Sequence, residues 1–259
     1  MDGRTRKIPD AQSFRPLPGG PEVLQQYPTE IRGSMIFVCL NTPSNTNAAP
    51  ELDDQLGPLK GVCEEFPRSR WLPIKKWNYE FAANWKIVVE NTVESYHVPS
   101  VHPKTLVDYA REEEIHHEIE ANYTCLRSST VSPGWYKRVA NWILPKLDPA
   151  ATHEYRLYHG FPNLFLIRID AMLQIMYVDP LSADRCRMSV QVMILRDSAN
   201  SFLSRTLAQG WGQFKTAIIR KILAEDARLY PQLHLGMKAS PFYGTISMRE
   251  ELVYAFQDY

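Results

Sequence analysis

The sequence predicts an α+β domain in which antiparallel strands are followed by a long C-terminal helix. Three observations predict it. From Glu114 onward the pattern changes to short strand-like runs separated by turn residues. Asp179-Pro180-Leu181-Ser182-Ala183-Asp184, between two of those runs, has the composition of a hairpin loop. The stretch from Ser198 to Leu235 is mostly helical in pattern, and strands grouped ahead of a long helix indicate α+β architecture.

In order along the chain, residues 1–32 are polar and rich in proline (Pro9, Pro16, Pro18, Pro21, Pro28) and read as an extended arm with little regular structure. Ser34 to Leu40 is an apolar run bounded by Gly33 and the Asn41-Thr42-Pro43 turn, a strand candidate. Thr42 to Pro50 reads as a loop, and Glu51 to Phe66 has room for a short helix. Asn84 to His97 has helical spacing, with Trp85, Val88, Val89, Thr92 and Tyr96 on one broad face, until Pro99 forces the chain out of the helix. Strands are expected at Ile115–Arg127, Tyr155–Tyr158, Leu164–Ala171, Leu173–Val178 and Cys186–Leu195. Trp135, Tyr136 and Trp142 fall in an insertion punctuated by Pro and Gly. Pro231 predicts a kink or break in the long helix, and Met248 to Tyr259 closes the chain as a short one.

A chain of 259 residues with 44% hydrophobic and 22% charged side chains is long enough to bury a sizeable core. Its 29 basic and 29 acidic residues cancel, which argues against nucleic acid or a membrane surface as partner. No apolar run approaches the roughly 18 residues of a membrane span. The start, MDGRTRKIPDAQSF, has no apolar core of a secretory leader. Cys39, Cys63, Cys125 and Cys186 form no C-x-x-C pair, against a zinc ribbon, a thioredoxin-like motif or a Cys-ligated cluster. Reduced thiols in a cytoplasmic protein are the simplest expectation.

The chemistry-bearing segment is Asn84-Trp85-Lys86-Ile87-Val88-Val89-Glu90-Asn91-Thr92-Val93-Glu94-Ser95-Tyr96-His97-Val98-Pro99-Ser100-Val101-His102-Pro103. In an unbroken helix His97 and His102 would stand about 140° apart around the axis and could not share a metal. A break at Pro99 lets His97 end the helix while His102 swings back to the same point. Two neutral imidazoles and one carboxylate make the facial triad of non-heme Fe(II) oxygenases. The third ligand has to come from elsewhere. Asp226 is the leading candidate and its neighbour Glu225 the runner-up, because Leu229 and Leu233 at i+3 and i+7 put Asp226 on an apolar stripe and turn Glu225 toward solvent.

N-W-K-x-x-x-E-N-x-x-E-x-Y-H-x-x-x-x-H resembles the signature of the catalytic domain of Rieske non-heme iron aromatic-ring-hydroxylating oxygenase α subunits. Phe161-Pro162-Asn163-Leu164, Glu225-Asp226 with Gly236 and Ser240, and Glu250-Glu251 with Phe256 resemble further stretches of the same family, so the resemblance covers roughly residues 30 to 259. It implies a helix-grip (START-like) fold, a curved antiparallel sheet packed around the long C-terminal helix over a deep pocket. It implies that His97, His102 and Asp226 bind a mononuclear Fe(II). Glu94 stands where the family has an acidic residue bridging toward the Rieske cluster of a neighbouring subunit, Asn91 where it has an asparagine close to the iron, and Tyr96 where a residue packs behind the ligands.

The sequence departs from the family in having neither the C-x-H nor the C-x-x-H pair that holds a Rieske cluster. Asp2-Gly3-Arg4 through Lys7-Ile8-Pro9 resembles the stretch that follows the second pair. The expectation is therefore a remnant of the end of a Rieske domain at residues 1–32, a catalytic domain at 33–259, and no [2Fe–2S] cluster in this chain, the cluster being on another polypeptide or lost. Electrons would come from a separate Rieske protein or ferredoxin and its reductase, in a homo- or hetero-oligomer built on trimers. The reaction implied is mono- or dioxygenation of a hydrophobic or aromatic small molecule with O₂.

Other readings compete. A helix-grip pocket can act as a non-catalytic hydrophobic-ligand-binding module or an inactive partner subunit. A metal-dependent hydrolase with Glu94 as general base is a third. His116 and His117 point to opposite strand faces and do not share a metal, whereas His153, His159 and His234 have no evident partner, His234 being placed to line the pocket or pack in the core. Phe165, Met172, Met176 and Tyr177 are core or pocket wall.

Overall fold

The computed structural model describes residues 26–40, 51–65, 70–106, 114–129, 132–196, 202–241 and 244–259, with the isolated positions 9, 10, 13 and 24. The expected 42–50 loop, most of the expected arm and the first residues of the expected long helix lie outside the described residues. Thr29–Arg32 (β1) and Met35–Val38 (β2) pair antiparallel, Thr29 opposite Val38 and Arg32 opposite Met35. Gly33 makes their turn with φ 57°, and a Cβ there would sit 1.9 Å from the Cys63 carbonyl oxygen, so only glycine fits. The end of the expected arm is thus a strand, and the boundary expected at 32/33 runs through the turn of this hairpin. Two short helices follow instead of one, α1 (Leu52–Leu56) and α2 (Leu59–Glu64).

A seven-stranded antiparallel sheet forms the body of the molecule. Its strands are β3 (Trp71–Phe81), β4 (Ile115–Ile119), β5 (Tyr123–Ser129), β6 (Thr152–Gly160), β7 (Leu164–Asp170), β8 (Met172–Ser182) and β9 (Arg185–Leu195), in the order β3-β9-β8-β7-β6-β5-β4. From β4 to β9 the chain runs up and down between neighbours, and β3 closes the other edge by pairing with β9, Trp77 opposite Val190. Strand β9 shows the period of a sheet with one buried face: Cys186, Met188, Val190, Val192 and Ile194 are fully buried. The register carries that face across the sheet, with Leu126 opposite Leu157, Leu157 opposite Ile167, Ile167 opposite Gln174 and Gln174 opposite Val192.

The helices are α3 (Trp85–Val93), α4 (Val98–Val101), α5 (Gly134–Leu147), α6 (Phe202–Ala227), α7 (Tyr230–Ala239) and α8 (Glu251–Asp258). Helix α6 packs against β3 and β9. Its buried stripe is Ala208, Trp211, Gly212, Lys215, Thr216, Ile219, Leu223 and Asp226, the spacing of one helical face. At Gly212 a Cβ would come within 2.4 Å of Ile74 Cγ1 and 2.9 Å of Ile194 Cγ1, so the missing side chain is what lets the helix lie this close to the sheet. Antiparallel sheet and long C-terminal helix agree with the expected α+β, helix-grip architecture.

Several elements differ from expectation. Strand β3 was not anticipated, although Trp77, Tyr79 and Phe81 alternate with Asn78 and Glu80 as a half-buried strand should. The expected Ile115–Arg127 strand is two, because Ala121 and Asn122 turn the chain and Glu120 N–H bonds back to the Tyr123 carbonyl at 3.0 Å. The insertion around Trp135 is a helix, α5, with Pro145 in its last turn. Helix α3 ends at Val93, well before Pro99; Pro99 instead lies in the first turn of α4, where its missing N–H costs nothing. Likewise the long helix breaks at Arg228–Leu229, and Pro231 opens α7.

Candidate metal centre

Helix α3 is anchored at both ends. Asn84 caps it, its side chain accepting from Lys86 N–H at 3.0 Å and donating to the Ala183 carbonyl at 2.8 Å. Ile87, Val88, Val89 and Val93 are buried, and α3 packs against β8 and α8. At Glu94 the backbone turns extended, φ −111° and ψ 166°, and the Glu94 carboxylate accepts from the N–H groups of Tyr96 and His97. The chain then makes the single turn of α4, in which Val101 N–H bonds to the His97 carbonyl and His102 N–H to the Val98 carbonyl, each at 2.9 Å. His97 precedes this turn and His102 ends it, so their rings meet edge to face with centroids 5.3 Å apart.

Asp226, near the end of α6, faces both rings. Its Oδ1 lies 3.0 Å from His102 Nε2 and 3.6 Å from His97 Nε2, and the three donor atoms lie within 4.8 Å of one another. The opposite ring nitrogens are held by carboxylates. His97 Nδ1 bonds to Glu94, and His102 Nδ1 lies 2.8 Å from Glu225 Oε2, while Glu225 Oε1 accepts from the Thr105 hydroxyl at 2.7 Å. An ionised carboxylate only accepts, so each Nδ1 carries the hydrogen and each Nε2 presents a lone pair. Burial disfavours a charged Glu225, but the Thr105 and His102 hydrogen bonds outweigh it and hold its pKa below the usual range. Burial likewise opposes a proton on His102, and Asp226 and Glu225 overcome it, so its pKa stands above that of an ordinary histidine.

With both rings neutral, two lone-pair nitrogens and one carboxylate oxygen converge, and a metal would take the place of the proton that Asp226 favours on His102 Nε2. Asp226 Oδ1 is buried without a hydrogen-bond partner among the described residues. A buried charge is tolerated when it is paired or coordinates a metal, and held imidazoles with a free carboxylate are the donor set of a divalent metal. The cluster closes one end of a cavity of about 320 Å³. Leu126, Leu157 and Ile167 from the sheet and Ile219 and Leu223 from α6 supply apolar walls.

A family model described as ring hydroxylating alpha subunit (catalytic domain) matches residues 68–259. The chain belongs to this ring-hydroxylating catalytic-domain family. Among solved structures it is similar to the quaternary ammonium Rieske monooxygenase CntA in complex with an inhibitor, with TM-score 0.64 and 16% identity over 89% of this chain and 59% of that one. It is also similar to a naphthalene 1,2-dioxygenase variant bound to phenanthrene, with TM-score 0.55 and 16% identity over 82% of this chain and 53% of that one. A third is an NdmA variant of Pseudomonas putida CBB5 with theobromine, with TM-score 0.56 and 13% identity over 97% of this chain and 64% of that one. The chain spans less than two thirds of each of these proteins, and the likeness at such identities is one of fold. No curated protein sequence matches it significantly.

In this domain His97, His102 and Asp226 come together as a group able to hold a metal ion. Asp226 is buried as expected, on a stripe of α6 shared with Ile219 and Leu223, whereas Leu233 is exposed. Glu225 is turned more toward solvent than Asp226, its side chain 20% exposed against 7%, yet its carboxylate is held against His102 and Thr105. Asn91 lines the cavity and its Nδ2 lies 3.4 Å from the Tyr230 hydroxyl. Tyr96 is 62% exposed, so it does not pack behind the ligands; the chain has left α3 two residues earlier. His234 is outside the cavity lining and accepts from Asn84 N–H at 3.3 Å. His159 packs on Phe165 with its pKa pushed down to about 4 by burial, a core residue. Phe165 is core and Tyr177 half-exposed, whereas Met172 and Met176 line the cavity. Thr105, Gln174 and Lys215 were not singled out from sequence, although a lysine on the apolar stripe of Trp211, Ile219 and Leu223 is a visible anomaly. None of the four cysteines forms a disulfide, and among the described residues no helix is long and apolar enough to cross a membrane.

Proposed function

We propose that this chain is the catalytic part of a Rieske-type non-heme iron oxygenase, holding Fe(II) through His97, His102 and Asp226 and hydroxylating a hydrophobic or aromatic small molecule in the cavity. The supporting observation is the convergence of the two imidazole Nε2 atoms and the buried Asp226 Oδ1 at the end of a largely apolar cavity. When bound, the iron supplies the O₂ chemistry, which draws two electrons from outside. Glu94 and Glu225 keep the proton on each Nδ1 and aim each Nε2 at the metal position. The apolar walls hold the substrate and keep water away. Asn91 and Tyr230 fix the cavity wall next to Asp226.

The electrons come from a Rieske cluster on another chain, in an assembly of oligomer type built on trimers, working in the cytoplasm. Glu94 touches His97 and keeps a tenth of its side chain exposed, the position that a bridge to a docked cluster requires. Metal content of the anaerobically purified chain tests the reading. About one iron per chain, lost in both His97→Ala and His102→Ala with the fold retained, is expected. Stoichiometric iron in both variants sinks the ligand assignment, and no iron after Fe(II) addition moves the hydrophobic-ligand-binding module to the front.

A further inference from the structure

The cavity has a second polar end. Lys215 lines it and is 93% buried, on the same α6 stripe as Asp226 and eleven residues earlier. Eleven residues bring a helix back to within about 20° of the same face and advance it ~16 Å along the axis. Ile219, Ile222 and Leu223 line the interval. The ammonium has three N–H donors. Two are used, toward the Tyr136 hydroxyl at 2.8 Å and Asp170 Oδ2 at 2.9 Å; the ammonium also lies 5.7 Å from the Trp211 ring centre, and among the described residues no third protein acceptor takes the remaining N–H.

Asp170 is built into this position. Ile169 pairs with Met172, so Asp170 and Ala171 form the two-residue turn between β7 and β8, and Asp170 adopts a left-handed φ of 56°. Its carboxylate also takes a hydrogen bond from Tyr136 and lies 2.8 Å from His153 Nδ1. Burial raises its pKa, but Lys215 and these partners overcome that and keep it ionised. A buried ion pair of this kind gives little net stability over apolar packing. Gln174, also buried and cavity-lining, sits between Ile167 and Val192 in the sheet, and among the described residues its amide donates only to the Met176 sulfur, at 2.8 Å. Two under-used donors thus stand in a wall that also carries Ser128, Ser129, Ser132 and Tyr155.

We infer that the end of the cavity remote from His97, His102 and Asp226 recognises a neutral oxygen acceptor, a carbonyl, ether or hydroxyl, on an otherwise apolar substrate, with Lys215 as donor. This deepens the proposed function and rests on it for the role of the opposite end. Asp170 already neutralises the ammonium, so a substrate carboxylate would enter as an uncompensated buried charge. A quaternary ammonium would meet N–H donors and no facing carboxylate at this end, since Asp170 is not among the lining residues.

Equilibrium dialysis of the full chain, with and without Fe(II), against biphenyl, 4-acetylbiphenyl and biphenyl-4-carboxylate tests the inference. The ketone is expected to bind about tenfold or more tighter than biphenyl, the gain of one hydrogen bond from a charged donor, and no weaker than the carboxylate. Lys215→Met combined with Asp170→Asn, which removes both charges together, is expected to abolish that preference while biphenyl still binds. Equal affinities in the unsubstituted chain, a preferred carboxylate, absence of binding by both neutral probes, or a preference that survives the double substitution overturns the inference; the first three need no variant to fold. A ketone preference in a chain that never holds iron would refute the oxygenase reading and leave this site standing, whereas an iron-loaded chain without the preference would do the reverse.

Discussion

Glu225 is the sharpest point at which the geometry can be tested, because its carboxylate is next in sequence to Asp226 yet touches His102 from the other side. Its Oε2 lies 2.8 Å from His102 Nδ1, and its Oε1 is fixed by the Thr105 hydroxyl at 2.7 Å. His102 is 1% exposed, so a lost partner is not replaced by bulk water. Removing a group that orients a metal-binding imidazole costs 10–100-fold in metal affinity, or about 1.4–2.7 kcal/mol. Glu225→Gln keeps the shape and an acceptor but loses the charge, and is expected near tenfold. Glu225→Ala leaves Nδ1 unheld and is expected near a hundredfold. The assay is anaerobic competition for Fe(II) against a chelator of known affinity at pH 7.5, with circular dichroism to verify the fold. Wild-type affinity in Glu225→Ala refutes the positioning role. A loss as complete as that of His102→Ala, with Asp226→Ala still binding, means that Glu225 and not Asp226 is the carboxylate ligand.

Other outcomes follow from the same contacts. The pKa of His102 is raised in the folded metal-free chain, so its proton-linked stabilisation is complete below the ordinary histidine pKa of about 6.5 and fades as pH rises through the folded value. Metal needs the neutral ring, so the rise in Tm on adding Fe(II) should grow as pH rises from about 6.5 through the raised folded value; a shift independent of pH contradicts the assignment of His102. Glu94→Ala should leave metal bound, more weakly, and slow turnover with a Rieske partner, and an unchanged turnover rate removes the bridging role. Gly212→Ala drives a methyl group into Ile74 and Ile194 and should cost about 1–3 kcal/mol in urea unfolding, an overpacking penalty; an unchanged midpoint would show that α6 can move off the sheet freely.

Much of the site was legible in the sequence because it is written locally. The histidine pair, the acids before it and Asn84 at the helix start all lie within one short segment, and chain geometry alone says that a break must bring the rings together. The place of that break was misjudged. Pro99 looked like the terminator, but a proline in the first turn of a helix is harmless, and the Glu94 side chain capping the Tyr96 and His97 N–H groups is what ends α3. The buried stripe on which the sequence puts Asp226 is present in α6, but Leu233 is not part of it. Strand β3 was passed over although its aromatic alternation was visible.

By itself, then, the sequence determined the α+β class, the two histidines and the apolar helix face that offers a carboxylate, because side-chain period and chain turning are properties of neighbours along the chain. Only the tertiary structure decided which acid meets which partner. Glu225 reaches His102 across 123 residues, and Lys215 reaches Asp170 across 45. Those pairings depend on where α6 settles against the sheet, which Gly212 sets through close packing, and on strand register, which carries Asp170 to the β7–β8 turn. Contacts between distant segments are fixed by the packing of whole faces, and no local pattern records which two groups will meet there.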